Sequence, residues 1–269
     1  RGFYFTTDVV KAPPHLPNRQ THLEYNGPLF VFWLDGDRRT ALGHFRACGS
    51  CPLFEEMPMP ASSIALVTGA NSGIGLATSQ GQAAAGYQVS LSGRRHAAVK
   101  EAAERIKGET LAVELDISDP ASIDTLFERI PQAWRAVSVL VNNAGHDRGG
   151  RTKFHEMERG DIQSILETNL IGLVQVTHAV IQGMVERDAG HIVNIGSVQG
   201  FITYPRATIY TASKFGIRGF SECLRIDYFN TGIRVTEVMP GLVQSQFAEN
   251  RWGDATKAEK FYDEFSSRL

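Results

Sequence analysis

What this chain has little of narrows its class before any motif is read. Cysteine occurs three times, at Cys48, Cys51 and Cys223. So few thiols, odd in number, cannot make the closed disulfide framework of a small secreted scaffold, and they point to a reducing, cytoplasmic setting. The Cys48-Gly-Ser-Cys51 spacing is half of a zinc ribbon or of a redox pair, but no second ligand pair follows it, so no metal is expected. There is no signal-peptide pattern and no run of about eighteen consecutive apolar residues, so no membrane association is expected. A bias of charge is missing too. Lys and Arg number 27 against 29 Asp and Glu, a formal net charge of -2, which gives no field to attract nucleic acid or an anionic membrane. Small neutral or anionic substrates remain open as partners.

What is present is an ordinary globular balance, 42% hydrophobic and 21% charged, enough for one large domain or one domain with an appendage. Proline is unevenly placed: Pro13, Pro14, Pro17, Pro28, Pro52, Pro58 and Pro60 make seven of eleven. Residues 1–60 therefore read as an irregular N-terminal extension, with one apolar run, Leu29 to Leu34, suited to a single strand entering a turn at Asp35-Gly36-Asp37. The sequence begins at Arg1, while Met57 and Met59 stand just before a strand-like run. The natural start is expected at one of these methionines, with residues 1–56 an extension or a fragment of something else.

From Ile64 the pattern sharpens. Ile64-Ala65-Leu66-Val67-Thr68 is a short apolar run, followed by Gly69-Ala70-Asn71-Ser72-Gly73-Ile74-Gly75 and a small-residue helix from Leu76 to Ala85. Strand, glycine turn and helix in this order let a pyrophosphate approach the first-turn amides, where the helix dipole favours an anion. The alternative is a plain flexible turn. The glycines are spaced Gly-x-x-x-Gly-x-Gly, with Thr78 where the strict dinucleotide fingerprint has its last glycine. A second unit places strand Gln88 to Leu91 before Ser92-Gly93-Arg94-Arg95. No carboxylate stands there to accept from a ribose 2′-hydroxyl, whereas Arg94 suits a 2′-phosphate, so NADP is expected over NAD. The alternative for Arg94 and Arg95 is a solvated pair.

Further units alternate as a parallel sheet demands: strand Thr110 to Glu114, helix Ala121 to Arg129, strand Val137 to Val141, a long helix within Asp161 to Glu186, strand His191 to Ile195, helix Ala207 to Phe229, strand Arg234 to Val238. The expected fold is α/β, a Rossmann-type doubly wound parallel sheet over residues 61–269. Right-handed crossovers gather the strands' carboxyl ends on the ligand-binding edge. Asn142-Asn143-Ala144-Gly145, Gly196-Ser197 and Pro240-Gly241 all fall there. The helix after the Ser197 loop carries Tyr210 and Lys214, four residues apart and so on one face. Asn169 falls on an apolar face marked by Ile162, Ile165, Leu166, Leu170 and Leu173, where an amide needs partners. A satisfied structural amide and a functional one are both open.

On these residues the chain resembles the short-chain dehydrogenase/reductase family. Thr68-Gly69-x-x-x-Gly73-x-Gly75, Asp116, Asn142-Asn143-Ala144-Gly145, Asn169, Ser197, Tyr210-x-x-x-Lys214 and Pro240-Gly241 stand in the family's order over about residues 62 to 263. The run from Asp161 to Phe265 is similar to the branch with bacterial NADP-dependent 3-hydroxy acid (serine) dehydrogenases, sharing Gly93-Arg94-Arg95 and Met184-Val185-Glu186-Arg187. The resemblance implies Tyr210 as acid/base, Lys214 as its activator and ribose ligand, Ser197 as substrate positioner, and Asn169 as anchor of a water relay. It also implies cofactor contacts at Gly69, Asn71, Ser72, Gly73, Ile74, Gly75, Arg94, Asp116, Ile117 and Asn142, and further ones at Ala144, Gly145, Tyr210, Lys214, Pro240, Gly241 and Val243. After Pro240-Gly241 the family continues to a seventh strand, which is not expected here. A homo-oligomer, common in the family, is therefore in doubt.

The expected activity is hydride transfer between nicotinamide and a small secondary alcohol or carbonyl compound, with a 3-hydroxy acid as candidate. Two other readings stay open, a non-catalytic dinucleotide-binding regulator or scaffold and an unstable truncated fragment. A phenol of pKa ~10 is about 4 kcal/mol from its phenolate at neutral pH. One cation at about 4 Å in an effective dielectric of about 20 offers ~4 kcal/mol, so Lys214 and an oxidised nicotinamide ring would supply the shift. For substrate binding the loop His146-Asp147-Arg148-Gly149-Gly150-Arg151 and Arg206 are candidates, with Ser197, because a guanidinium matches a carboxylate bidentately. Surface arginines are the alternative.

Overall fold

A computed structural model describes residues 63–149 and 151–266. The expectations for residues 1–60, including the Leu29 to Leu34 strand, the Cys48/Cys51 pair and a start at Met57 or Met59, lie outside the described residues. The chain alternates strand and helix: β1 (Ile64–Thr68), α1 (Gly73–Ala84), β2 (Gln88–Gly93), α2 (His96–Glu104), β3 (Thr110–Glu114), α3 (Pro120–Asp124), α4 (Leu126–Arg129) and β4 (Val137–Asn142). There follow α5 (Arg159–Leu166), α6 (Leu173–Arg187), β5 (Gly190–Ile195), α7 (Thr208–Asp227), β6 (Ile233–Val238), α8 (Phe247–Trp252) and α9 (Ala255–Ser266). The strands form one six-stranded sheet in the order β3-β2-β1-β4-β5-β6, every pair parallel. The order reverses between β1 and β4, and ligands bind such sheets outside the carboxyl ends at that crevice.

Both faces of the sheet are covered, which is why β1 is apolar throughout rather than alternating. Ile64 and Leu66 point to one core with Leu140, Ile192 and the α6 residues Val176, Val180 and Met184. Ala65 and Val67 point to the other, with Leu91, Val141, Ala83 of α1 and Val99 and Ala102 of α2. Arg159–Arg187 has the length and apolar composition of a membrane span, but 44% of its most apolar window is buried inside the protein, as in the core helix of a packed sheet.

Two expected helices are interrupted. The long one is split by a π-helical segment, Glu167–Gly172, that carries Asn169. Gly172 lies against the Ile117 carbonyl, where any Cβ would overlap it. The Ala121 to Arg129 helix is two short ones meeting at Thr125, whose hydroxyl returns to the Ala121 carbonyl at 2.9 Å, a local bond that competes with regular helix. Beyond β6 the described chain makes no seventh strand. It turns into α8 and α9, which close on Ala248, Ala258 and Tyr262. The Tyr262 hydroxyl lies 3.1 Å from the carbonyl oxygens of both Val243 and Ser245 and accepts from the Ser245 amide at 3.3 Å. These bonds fold the helical pair back toward the sheet.

His191 on β5 faces Thr236 of β6, Nε2 to Oγ1 2.9 Å. Burial first, then the Arg234 charge, pushes its pKa down to about 4. The native state keeps it neutral while the unfolded chain takes up a proton near pH 6.5, so the stability it contributes is whole above about 6.5 and lost as pH falls toward about 4. Denaturant titrations between about pH 7 and 4 should therefore show a fall on the order of 3 kcal/mol that His191→Gln largely removes.

Candidate active site

The β1 turn is built for close approach. Gly69 and Gly73 take φ of 64° and 55°, which only glycine adopts without strain. A Cβ on Gly69 would sit 2.8 Å from the Ala144 Cα, and one on Gly75 would overlap the Asn143 amide and the Gly69 carbonyl. Thr68 and Asn143 clamp this turn to the end of β4. The Thr68 hydroxyl accepts from the amides of Asn143 and Ala144 at 2.9 and 3.0 Å, and Asn143 Nδ2 donates to the carbonyls of Thr68 and Gly69 at 2.9 and 3.1 Å. Helix α1 opens at Gly73 behind Ser72, whose side chain makes no cap bond, so the first-turn amides of Ile74 and its neighbours are left for an anion. A glycine turn that ends on such a helix start fits the pyrophosphate of a dinucleotide.

The flanking residues are placed unequally. Arg94 is exposed past the end of β2, and its charge reaches His146 across the sheet's mouth. Gly93 beside it lies near Asn71, whose Oδ1 would be 3.5 Å from a Cβ there. Asp116 Oδ1 accepts from the Ser118 amide and hydroxyl at 2.9 and 2.6 Å, shaping the turn that continues through Ile117. Asn142, 3% exposed, turns its side chain into the interior, donating to Thr177 Oγ1 at 2.8 Å and to Asn194 Oδ1 at 2.9 Å. The Pro240 carbonyl accepts from the Val198 amide at 3.1 Å and so fixes the Ser197 turn. Gly241 is exposed beside it, and the Val243 carbonyl belongs to the Tyr262 junction.

At the centre the expected residues come together. Tyr210 and Lys214 are on the first turns of α7, 8% and 6% exposed, with the Lys214 ammonium 5.6 Å from the centre of the Tyr210 ring. Nζ donates to the Ile195 carbonyl at 2.8 Å. The Ser197 side chain acts on the Tyr210 phenol, lowering its pKa, and itself accepts from the Gln199 amide at 3.1 Å. Asn169 binds both the amide and the carbonyl of His146, at 2.8 and 2.9 Å, and donates to Ser213 at 3.2 Å. Ser213 in turn donates to the Tyr210 carbonyl at 2.7 Å. The π segment thus ties the loop after β4 to the helix of Tyr210, and the same Asn169 leaves space for Gly145 alone, since a Cβ there would be 3.1 Å from its Oδ1.

The electrostatics differ from the simple expectation of a lysine-activated phenolate. Burial pushes the Tyr210 phenol up to about 12, with Ser197 opposing it and the charges of Asp147, Arg251 and Arg151 acting at longer range. Burial also pulls Lys214 down to about 8, opposed by Glu237 and Asp147. The protein alone therefore holds a protonated phenol beside a weakened ammonium. Glu237 of β6 has a buried Oε1 without a hydrogen-bond partner, packed against Gly196, and burial raises its carboxyl to about 7. It was not legible as a site residue in the sequence, nor was Asn143 as a clamp.

On the open side two arginines act on Tyr210: Arg151, from the loop expected to supply a guanidinium, and Arg251, which was not expected, while Arg206 is not among them. Arg206 is exposed, in left-handed backbone with φ of 61°. The His146 ring meets Ser164, Nε2 to Oγ 3.1 Å, and burial lowers its pKa. Asp147, from the same loop, pairs with Arg251 of α8, Oδ2 to Nε 2.8 Å, each 5% exposed at the side chain. Arg251 also packs over the rings of Phe247, Trp252 and Phe261 at 5.5, 5.0 and 5.5 Å, while Phe247 meets Tyr210 edge-on at 5.8 Å. The sequence reading did not single out Arg251, whose place beside Asp147 depends on a contact remote along the chain.

The comparison with known proteins agrees with this geometry. The short chain dehydrogenase model matches residues 63–255. The chain belongs to the short-chain dehydrogenase family. It is 39% identical over 202 residues to the NADP-dependent 3-hydroxy acid dehydrogenase YdfG of Salmonella typhi, covering 74% of this chain and 81% of the relative. Sulfoacetaldehyde reductase 2 of Chromohalobacter salexigens is 38% identical over 207 residues, 75% and 81% of the two chains. A solved closed form of serine dehydrogenase with NADP+ superposes with a TM-score of 0.71 at 38% identity, over 74% of this chain and 81% of the other. As a member of this dehydrogenase family the chain is an oxidoreductase. Among the described residues no group of three or more His, Cys, Asp or Glu is arranged to hold a metal.

Removing the Glu237 charge should lower the proton affinity of Lys214, because that carboxylate opposes the desolvation of the ammonium. In Glu237→Gln the Lys214 side chain, followed by carbon NMR of labelled lysine, should titrate at lower pH than the wild-type value of about 8, and Glu237→Asp should restore it.

Proposed function

We propose that residues 61–269 form an NADP-dependent oxidoreductase unit that interconverts an alcohol and a carbonyl on short substrates bearing an anionic group, 3-hydroxy acids among them. The observation that carries the substrate class is the pair of guanidinium groups, Arg251 and Arg151, whose charges act on the same phenol as Ser197. The side-chain nitrogens Arg251 Nη1 and Arg151 Nε are buried without hydrogen-bond partners, a state that an anion's oxygens would relieve. The named activities of the relatives, on a 3-hydroxy acid and on sulfoacetaldehyde, share an anion close to the reacting carbon and support the reading. NADP is supported by the exposed Arg94 in place of an acidic residue and by the NADP-dependent relatives.

In this reading the glycine turn and the α1 amides hold the pyrophosphate, Arg94 meets the 2′-phosphate and Lys214 reaches the ribose. The bound nicotinamide supplies the hydride acceptor or donor. Ser197 donates to the substrate oxygen and fixes it against Tyr210. During reduction the Tyr210 hydroxyl passes its proton to the oxygen that becomes the alcohol, and during oxidation the phenolate takes that proton back. A phenol held up at about 12 is fully protonated at neutral pH, so the resting site is set for carbonyl reduction. Lys214, still an ammonium below about 8, lowers the cost of the phenolate left behind. Asn169 and Ser213 hold the helix backbone of Tyr210 in place.

Self-association is supported by the exposed apolar side chains Ile171 and Val185 near and on α6, and Phe215 and Ile226 on α7.

The decisive assay is NADPH oxidation against small oxo acids, sulfoacetaldehyde and neutral aldehydes. Tyr210→Phe should lose at least a hundredfold in kcat, in line with the usual 10²- to 10⁴-fold worth of proton transfer. Arg251→Ala should raise KM for the acids and leave neutral aldehydes little changed. Turnover should decline above about pH 8 as Lys214 loses its charge. Full turnover by Tyr210→Phe would remove the reading.

A further inference from the structure

The Asp147–Arg251 pair has a feature that anion binding alone does not need. Two guanidinium groups facing the phenol would serve an anion best without a carboxylate between them, yet Asp147 is 4% exposed and sits 2.8 Å from Arg251. The approach lacks hydrogen-bond alignment: Asp147 Oδ2 and Arg251 Nε both remain without a hydrogen-bond partner although they form the ion pair. Among the described residues Asp147 makes no other side-chain hydrogen bond, so what it contributes to the site is charge.

The charges that face one another across this mouth can be named. Asp147 interacts with Arg251, Arg151 and Lys214, and Lys214 also with Glu237. On the side of the head group Arg251 and Arg151 stand against Asp147, two cations to one carboxylate, and one positive charge is left over. In a water-poor site a single uncompensated charge is costly, and a ligand of equal and opposite charge relieves it, whereas a ligand with two negative charges leaves a new excess of the other sign.

We infer that Asp147 is a specificity-determining residue that sets the charge of the accepted substrate at one negative unit, so that carboxylates and sulfonates are taken and phosphonates and phosphate esters are refused. This rests on the anion-binding reading of Arg251 and Arg151 given above. Asp147 does not touch the reacting carbon; it holds Arg251 half neutralised, leaving Nη1 and the Arg151 Nε to meet one monoanionic head group.

Two probes of one shape test it. 2-Hydroxyethanesulfonate and 2-hydroxyethylphosphonate share spacer and tetrahedral head group but differ by one charge at pH about 8. Their dissociation constants are measured by calorimetry on the NADPH-loaded protein, where the alcohols cannot turn over. The wild type should bind the sulfonate more tightly. Asp147→Asn should shift the ratio of the two constants toward the phosphonate by about tenfold or more. Asp147→Glu should keep the wild-type preference, and Asp147→Asn with Arg151→Gln should restore it by returning the count to one, which guards against loss of fold in the single variant. If Asp147→Asn binds both probes in the wild-type ratio, Asp147 does not set the charge and the inference fails while the anion site stands. If neither probe binds the wild type, the anion site itself is gone, and the inference with it.

Discussion

An ammonium held almost out of water is the constraint around which the rest of this site is arranged. Lys214 is 6% exposed and its one hydrogen bond is to the Ile195 carbonyl. Burying a charge on one neutral acceptor is expensive, and the protein answers with carboxylates at a distance rather than in contact. Glu237 approaches from β6 and Asp147 from the loop after β4, and both raise the proton affinity that burial lowers. The cost is not fully offset, which is why the group titrates near 8 and not near 10.

That arrangement makes the phenol a proton donor at rest. Tyr210 lies in the same dry volume with Ser197 acting on its hydroxyl but no aligned cation in contact, so desolvation dominates. Any lowering of its pKa has to come with the ligands of the assembled complex.

The framework that delivers these groups is a set of polar ties between neighbouring strand ends. Thr68 and Asn143 join the turns of β1 and β4. Asn142, Asn194 and Ser221 form an interior chain across β4, β5 and α7. Asn169, lifted from regular helical register by the π segment, joins the β4 loop to α7. Each tie takes its partner from another element, so the strand ends cannot drift apart without breaking these bonds. On this frame the C-terminal helices bring one charged side chain, Arg251, over the aromatic rings next to Tyr210.

Much of this could be read from the chain alone, because the signals were local. The apolar run Ile64 to Thr68 before Gly69, Gly73 and Gly75 announced a covered strand and a glycine turn, and the four-residue spacing of Tyr210 and Lys214 announced a shared helix face. The parallel sheet and its ligand-binding edge followed from alternation of β and α with right-handed crossovers. What could not be read depends on neighbours remote in sequence. The π turn at Asn169 carries contacts to the loop after β4 and to α7, and no period records it. Arg206 was a candidate in one dimension and Arg251 was not singled out. Only the folded chain decided between them, since Arg251 meets Asp147 across more than a hundred residues of sequence. The sequence by itself determined the sheet, its glycine turn and the identity of the central pair, all short-range patterns; the tertiary structure decided which charges surround that pair, because burial and Coulomb interaction depend on distance through space.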